Sequence, residues 1–196
     1  MKKLFATLLA VVISTVMLTG CSILRKEAPS PKVMTLQLEN SALKVAIPFP
    51  MQDGNMEGHF GEAAPYIRQS LMKSAETDEM VVLIFGFLYD KNKIEREYNI
   101  NFEPDLENGL YGAVGNLQNV QHTNDVKDVN INGLRGKEID GTVNVKFPGD
   151  SSLSLANFRM MAFAKSAEFW MVGVIRKPNN NTLSISNAIF KSIKLR

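Results

Sequence analysis

The sequence of 196 residues carries 22 lysines and arginines against 20 aspartates and glutamates, and it contains a single cysteine. This near balance of charge argues against nucleic acid as a partner, because binding to phosphates needs a basic excess. One cysteine excludes an intramolecular disulfide and any metal site built from several cysteines. The length is that of one ordinary domain, which buries enough surface to fold without such cross-links.

The first 21 residues have the pattern of an export signal. Lys2 and Lys3 precede an apolar run over residues 4–18, which is shorter than the roughly 20 residues that cross a membrane as a helix. The run ends in Leu-Thr-Gly-Cys at residues 18–21, which resembles the lipobox of bacterial lipoproteins. We therefore expect residues 1–20 to be a signal peptide that is cleaved before Cys21. The alternative is an uncleaved signal anchor.

The resemblance to bacterial lipoproteins implies that Cys21 is the lipidation site. In such proteins the thiol receives a diacylglycerol, and the new α-amino group usually receives a further acyl chain such as palmitate. Two or more chains anchor a protein stably, at about 0.8 kcal/mol per buried CH₂. Ser22 follows the cysteine, where an aspartate often signals retention in the inner membrane. We expect an exported protein, lipid-anchored to the cell envelope and facing the periplasm from the outer membrane if the organism is Gram-negative.

A spacer separates the anchor from the domain. Residues 21–33 are predicted to be a lipidated flexible tether, because Pro29 and Pro31 interrupt regular structure among charged and small residues. The domain then spans residues 34–196.

The domain is predicted to begin with a strand. Leu43, Val45 and Ile47 alternate with less apolar residues, which is the period of a half-buried strand within residues 36–47. Residues 51–61 are polar and rich in glycine, and they are predicted to form a loop.

Met80–Tyr89 is the clearest strand in the sequence. It is β-branched, aliphatic or aromatic nearly throughout, which predicts a central strand buried on both faces. Residues 66–73 are ambiguous, because their apolar positions fit one face of a helix and also fit the first arm of a hairpin with Met80–Tyr89. We favour the hairpin, with its turn at residues 75–79.

One helix is predicted in the middle of the chain. Residues 91–103 are charged and are predicted to be a loop, after which Pro104 suits a first helical position and apolar spacing continues to Gln118. Three glycines recur along this helix at every third position, namely Gly109, Gly112 and Gly115. They indicate close packing of the helix against a sheet, and the alternative is a small-residue surface for a partner.

The remainder is predicted to be a run of strands followed by a helix. The strands cover residues 126–131, 134–145, 153–164 and 169–175, with a hairpin turn at Asn132-Gly133. Thr182 or Ser184 is predicted to cap the last helix, with Ile185, Ala188 and Ile189 facing inward. The whole order predicts an α+β fold, a single twisted antiparallel sheet with helices packed on its faces.

Several segments form a recognisable set. They are Ile47-Pro48, Met80–Tyr89, residues 132–138, residues 158–164 and 169–175, and the closing residues 188–193. In this order they resemble the PsbP-like fold, and more closely the bacterial PsbP-like lipoproteins of the DcrB type. The resemblance covers most of residues 36–196 and includes no catalytic motif. It implies a binding or assembly factor, and it carries over no ligand residues.

The residues able to do chemistry are few. His59 and His122 are the only histidines, and neither has the spacing of a metal site, so both are predicted to be solvated loop residues. Met51, Met56 and His59 together could form a soft site for cuprous copper, although ten methionines make chance proximity common. Trp170 is expected in the core rather than in a ligand platform.

These features predict a protein that is not an enzyme. We expect no catalytic residues, no metal and no cofactor, with Cys21 as the only assigned site and any ligand-binding residues unknown. The leading hypothesis is an envelope lipoprotein that binds or supports another envelope protein. One alternative is a small-molecule or lipid-binding module, with a cavity between the sheet and the helices. A second alternative is a hydrolase, whose serine, histidine and carboxylate need not be close in sequence.

Overall fold

The computed structural model describes residues 31–54 and 61–196. The predicted signal peptide, the predicted lipidation site at Cys21 and all but the last residues of the predicted tether lie outside the described residues. The same is true of Met56 and His59 from the predicted copper site.

Strands dominate the described part of the chain. They are β1 (Lys32–Gln37), β2 (Ala42–Ile47), β3 (Gln52–Asp53), β4 (Ile67–Glu76), β5 (Met80–Tyr89), β6 (Val120–Thr123), β7 (Lys127–Ile131), β8 (Leu134–Val145), β9 (Ser154–Lys165), β10 (Glu168–Arg176) and β11 (Lys194–Leu195). They form two antiparallel sheets. The smaller has the order β1-β2-β11, and the larger has the order β3-β4-β5-β10-β9-β8-β6, with β7 also paired to β8.

Three α-helices accompany these strands within residues 31–54 and 61–196. They are α1 (Lys91–Tyr98), α2 (Leu106–Gly115) and α3 (Asn180–Lys191), and a 3-10 helix covers Gly61–Tyr66. Each α-helix begins after a residue whose side chain accepts a backbone N–H, which is the usual N-cap interaction: Asp90, Asp105 and Asn179.

The larger sheet is covered on both faces. One face packs against α1 and α2 through a core that includes Phe85, Leu110 and Phe169. The other face packs against the smaller sheet and α3 through a second core that includes Val45 and Trp170. Every residue of β5 is buried, which confirms the prediction of a central strand with two covered faces.

The prediction of a single sheet is wrong, although the α+β class is confirmed. Residues 36–47 are not one strand, because the chain turns between β1 and β2, where the Leu38 N–H donates to the Ser41 carbonyl at 3.0 Å. The two-residue strand β11 then joins β2 from the other end of the chain. The apolar second face of β5 and β10 requires the smaller sheet as cover, and no local pattern in the sequence predicts that sheet.

The hairpin interpretation of residues 66–73 is confirmed, since β4 pairs with β5 along its length. The predicted loop over residues 91–103 is wrong, because α1 occupies its first half. Ile94 is the only buried residue of α1, so the helix has no apolar stripe for a sequence pattern to show. Strand β6 was also not predicted.

Helix ends differ from their predictions in detail. Asp105 caps α2, so the helix begins at Leu106 rather than Pro104, and it ends at Gly115 rather than Gln118. Asn179 caps α3 in place of Thr182 or Ser184, with its side-chain oxygen 2.9 Å from the Thr182 amide. Ile189 is buried and Ile185 is half-buried against the second core, as predicted, whereas Ala188, which was predicted to face inward, is exposed.

The predicted turn at Asn132-Gly133 is confirmed, with φ of 54° and 82° at the two residues. Both values lie in the left-handed region that a type I′ hairpin turn requires. The Asn132 amide also donates to the Lys191 carbonyl at 3.0 Å and to the Ile193 carbonyl at 2.9 Å. The turn is thereby tied to the end of α3.

Two glycines of α2 differ in what surrounds them. A Cβ on Gly109 would lie 2.7 Å from the Phe169 ring, whereas a Cβ on Gly115 would have nothing within 4 Å. The close approach of the helix to β10 supports the packing interpretation of the glycine spacing at position 109.

We expect Gly109→Ala to lower the free energy of unfolding by about 1–3 kcal/mol, because the buried Phe169 ring must move. Gly115→Ala should leave it unchanged or raise it by up to about 1 kcal/mol, because alanine is the better helix former. Urea unfolding followed by Trp170 fluorescence measures both variants. Equal losses in the two would contradict the packing explanation.

Candidate functional site

A half-open groove lies where α3 crosses the polar end of the larger sheet. It has a volume of about 500 Å³, and strands β6, β7, β8, β9 and β10 contribute to it together with one side of α3. It is on the face that carries the smaller sheet, opposite to α1 and α2.

The groove exists because this sheet face changes from apolar to polar along the strands. On β9, Met161 and Phe163 belong to the core under the smaller sheet, and two residues away on the same side stand Arg159 and then Asn157. On β10, Val174 ends the apolar series and Arg176 follows on the same face. The layer of α3 therefore covers hydrogen-bonding and charged groups at this end.

A buried carboxylate lies at the inner end of the groove. Glu138 is 2% exposed, and its Oε2 accepts from Arg159 Nε at 2.9 Å and from Nη2 at 2.6 Å. Its Oε1 is 2.9 Å from Lys127 Nζ. Both oxygens of the carboxylate are therefore paired with cations, which offsets the cost of removing it from water.

Arg159 is held from three sides. Its guanidinium lies 4.7 Å from the centre of the Phe190 ring, in a cation–π arrangement. Its Nη1 donates to the Asn187 amide oxygen of α3 at 3.3 Å, in addition to the bonds with Glu138. These contacts fix the guanidinium and join α3 to the sheet.

A second carboxylate extends the network towards solvent. Lys127 Nζ is 3.3 Å from Asp140 Oδ2, and the Asn124 amide also donates to Asp140. Burial raises the pKa of Asp140, but these hydrogen bonds and the charges of Lys127 and Arg159 outweigh it, so the pKa lies below its usual value. The hydrogen bond with Glu138 raises the pKa of Lys127. Both groups are therefore charged at neutral pH.

Arg176 differs from the other cations of the groove. Its Nη1 donates to the Lys177 carbonyl at 3.3 Å, and no carboxylate among the described residues forms an ion pair with it. Burial lowers the pKa of its guanidinium, and no acid in the described part of the chain opposes that effect. Arg176 on β10 is directly opposite Asn157 on β9, and Asn157 is in turn directly opposite Thr142 on β8.

The histidine that the structure describes is part of this region. His122 lies on β6 and is exposed, as predicted, although in a strand rather than a loop. Its Nε2 is 3.1 Å from the Asn124 amide oxygen, and the ring borders the groove. The hydrogen bond of the ring thus goes to an amide rather than to the serine that a hydrolase would need.

Of the other two predicted positions, one lies in the core and one at its edge. Trp170 is fully buried, as expected, and its indole N–H donates to the Ser41 hydroxyl at 2.9 Å. Met51 is partly buried against the core below the smaller sheet.

Within residues 31–54 and 61–196, no group of three or more His, Cys, Asp and Glu side chains could hold a metal ion. None of the helices formed within these ranges has the length and the apolar character that a membrane crossing requires.

Sequence reasoning missed the groove, although a signal for it exists. Strand β9 alternates Asn157 and Arg159 with Phe158 and Met160, and its neighbours β8 and β10 make it an interior strand. Charged residues on the covered face of an interior strand need partners and indicate a site. Which face of β9 is covered by a helix depends on the packing of α3, and the sequence does not show it.

No protein-family model and no curated protein matches the sequence. Among solved structures, the chain is similar to LpqN, which is described as involved in cell envelope biogenesis of Mycobacterium tuberculosis. The TM-score is 0.40 and the identity 12%, covering 84% of this chain and 90% of LpqN. Similarity at this level assigns no family, so the PsbP-like resemblance remains a prediction.

We expect Glu138→Gln to lower the free energy of unfolding by about 1–3 kcal/mol, because Arg159 and Lys127 would then lack the negative charge with which they form ion pairs. The matched control is Asp128→Asn, which removes the exposed partner of Lys137. An exposed pair contributes little, so the control should not change stability measurably. Urea unfolding in low and high salt measures both, and equal effects would contradict the importance of burial.

Proposed function

We propose that the chain is an exported lipoprotein, held at the envelope membrane by acyl chains on Cys21. The motif at residues 18–21, the short apolar run before it and the two preceding lysines support this assignment. The described domain begins its first strand at Lys32, which leaves about ten residues as a lipidated tether. The proposal includes placement on the periplasmic face of the outer membrane in a Gram-negative organism.

We further propose that the domain is a binding module and not an enzyme, and that it binds another envelope component through the groove. The observation that carries this proposal is the groove itself, about 500 Å³, with charged side chains held in place by one another. Fixed charged groups next to neutral amide and hydroxyl groups suit recognition of a polar partner. An envelope protein is the leading partner.

The second candidate, a small-molecule or lipid-binding protein, is supported by the size of the same groove. The cavity expected for it between the sheet and the helices would lie between Met80–Tyr89 and the glycines of α2. That space is packed, since Gly109 approaches Phe169 and Leu110 and Ala113 are fully buried. A bound small molecule would therefore occupy the groove on the opposite sheet face.

The anchor is tested by labelling cells with an alkyne analogue of palmitate, comparing wild type with Cys21→Ser. We expect the wild type to incorporate the label and to sediment with membranes, and the variant to incorporate none. Cys21 is the only thiol of the chain, so no other cysteine can take the label. Equal labelling of the two proteins would overturn the lipoprotein assignment.

The groove is tested with a photocrosslinking amino acid placed in cells at either of two positions. Leu183 borders the groove and is 41% exposed, whereas Tyr111 on α2 is 43% exposed on the opposite face. We expect a discrete adduct from position 183 and none from position 111. A protein-sized adduct supports the leading partner, and an adduct of small mass supports the second candidate. The same adducts from both positions, or none from either, would contradict binding at the groove.

A further inference from the structure

The charges that border the groove do not balance. Three cations, Lys127, Arg159 and Arg176, face two carboxylates, Glu138 and Asp140. Lys127 and Arg159 are paired with those carboxylates at 2.6–3.3 Å. The excess positive charge is therefore located on Arg176.

Arg176 is positioned for a ligand rather than for the fold. Its position on β10 continues the buried series of Val172 and Val174, so its guanidinium stands on the covered face of the sheet and is only partly exposed. A cation that is partly removed from water, with one carbonyl contact at 3.3 Å, is stabilised further by any anion that reaches it. The planar guanidinium matches the two oxygens of a carboxylate or a phosphate.

Neutral hydrogen-bonding groups lie beside the guanidinium. Thr142, Asn157 and Arg176 form a row of directly paired residues across three adjacent strands, and all three border the groove. Directly paired side chains in antiparallel strands are about 5 Å apart, which is within the reach of one small ligand. The hydroxyl and the amide add donors for the remaining oxygens of an anion.

An exposed apolar side chain also borders the groove. It is Leu183 of α3, which is 41% exposed. An exposed leucine next to a charged site suits a ligand that carries an apolar part.

We propose that the groove binds an oxyanion, a carboxylate or a phosphate, on Arg176, with the apolar body of the same molecule against Leu183. The inference rests on the proposed binding function and specifies its ligand chemistry. Such a group can belong to a free small molecule or to the headgroup of an anionic lipid.

The test is isothermal titration of the mature protein, as purified from cells, in phosphatidylcholine nanodiscs. The probes are inorganic phosphate and octyl phosphate below its micelle concentration. We expect saturable binding of octyl phosphate at one site, and at least tenfold weaker binding of inorganic phosphate because it lacks the apolar part. No saturable binding of either probe would overturn the proposal.

Variants locate the site. Arg176→Gln should weaken octyl phosphate binding at least tenfold, since it removes a charge-assisted bidentate contact. Arg176→Lys should retain part of the affinity and shows that the charge acts in a folded protein. The control Arg68→Gln removes an exposed arginine of β4 that is paired with Glu39, and it should change the affinity less than twofold. Equal weakening by Arg176→Gln and Arg68→Gln would overturn the site.

Competition distinguishes the two sources of the oxyanion. If vesicles of phosphatidylglycerol displace octyl phosphate and phosphatidylcholine vesicles do not, the ligand is a lipid headgroup. If neither displaces it, the ligand is a free molecule.

The crosslinking experiment separates the oxyanion proposal from the broader proposal that the groove binds an envelope component. A discrete adduct at position 183 with no octyl phosphate binding would leave the binding function standing and refute the oxyanion.

Discussion

The pairing of β5 with β10 is the constraint on which the rest of the structure depends. Nearly every residue of the two strands is buried, so the sheet that contains them needs apolar cover on both faces. Helices α1 and α2 supply one cover, and the smaller sheet with α3 supplies the other. The contact between β5 and β10 is close enough to require glycine at position 86, because a Cβ there would lie 2.8 Å from the Trp170 indole. A polar substitution in either strand would bury a polar group without the hydrogen-bond partners that it has in water.

Two buried carboxylates, Glu168 and Glu138, are stabilised by different kinds of donor. Glu168 has a role in packing the layers, and Glu138 belongs to the groove. Glu168, at the start of β10, accepts from the backbone N–H of Asn40 at 2.6 Å and from the Ser41 hydroxyl, which in turn accepts from the Trp170 indole N–H. This network uses neutral donors and ties the β1–β2 turn to the larger sheet. Glu138 uses cations instead, at the end where the sheet face becomes polar. The first arrangement specifies the packing of the layers, and the second places charged groups beside a groove.

The proposed lipid anchor would add a membrane context to the groove. A domain held by the proposed tether would sample the membrane surface and the space next to it, so a ligand from either could reach a half-open site. The charged side chains of the groove are held by each other and by Phe190, which limits the conformational entropy lost on binding. Arg176 is the exception, because its charge has no acidic partner among the described residues. The chemistry of the ligand therefore depends chiefly on this residue.

The sequence by itself determined the features that depend on neighbouring residues along the chain. The lipobox pattern, the fully apolar β5, the hairpin at Asn132-Gly133 and the apolar spacing of α2 are of this kind, because period and turn chemistry are local properties. The structure confirms those among them that fall on described residues. Helix α1 escaped prediction because Ile94 alone is buried. Only the tertiary structure decided the second sheet and the groove, since β2 meets β11, and Arg159 meets Glu138 and Asn187, across long separations in the chain. Whether a polar residue on an interior strand is solvated, paired or open to a ligand depends on the element that covers it.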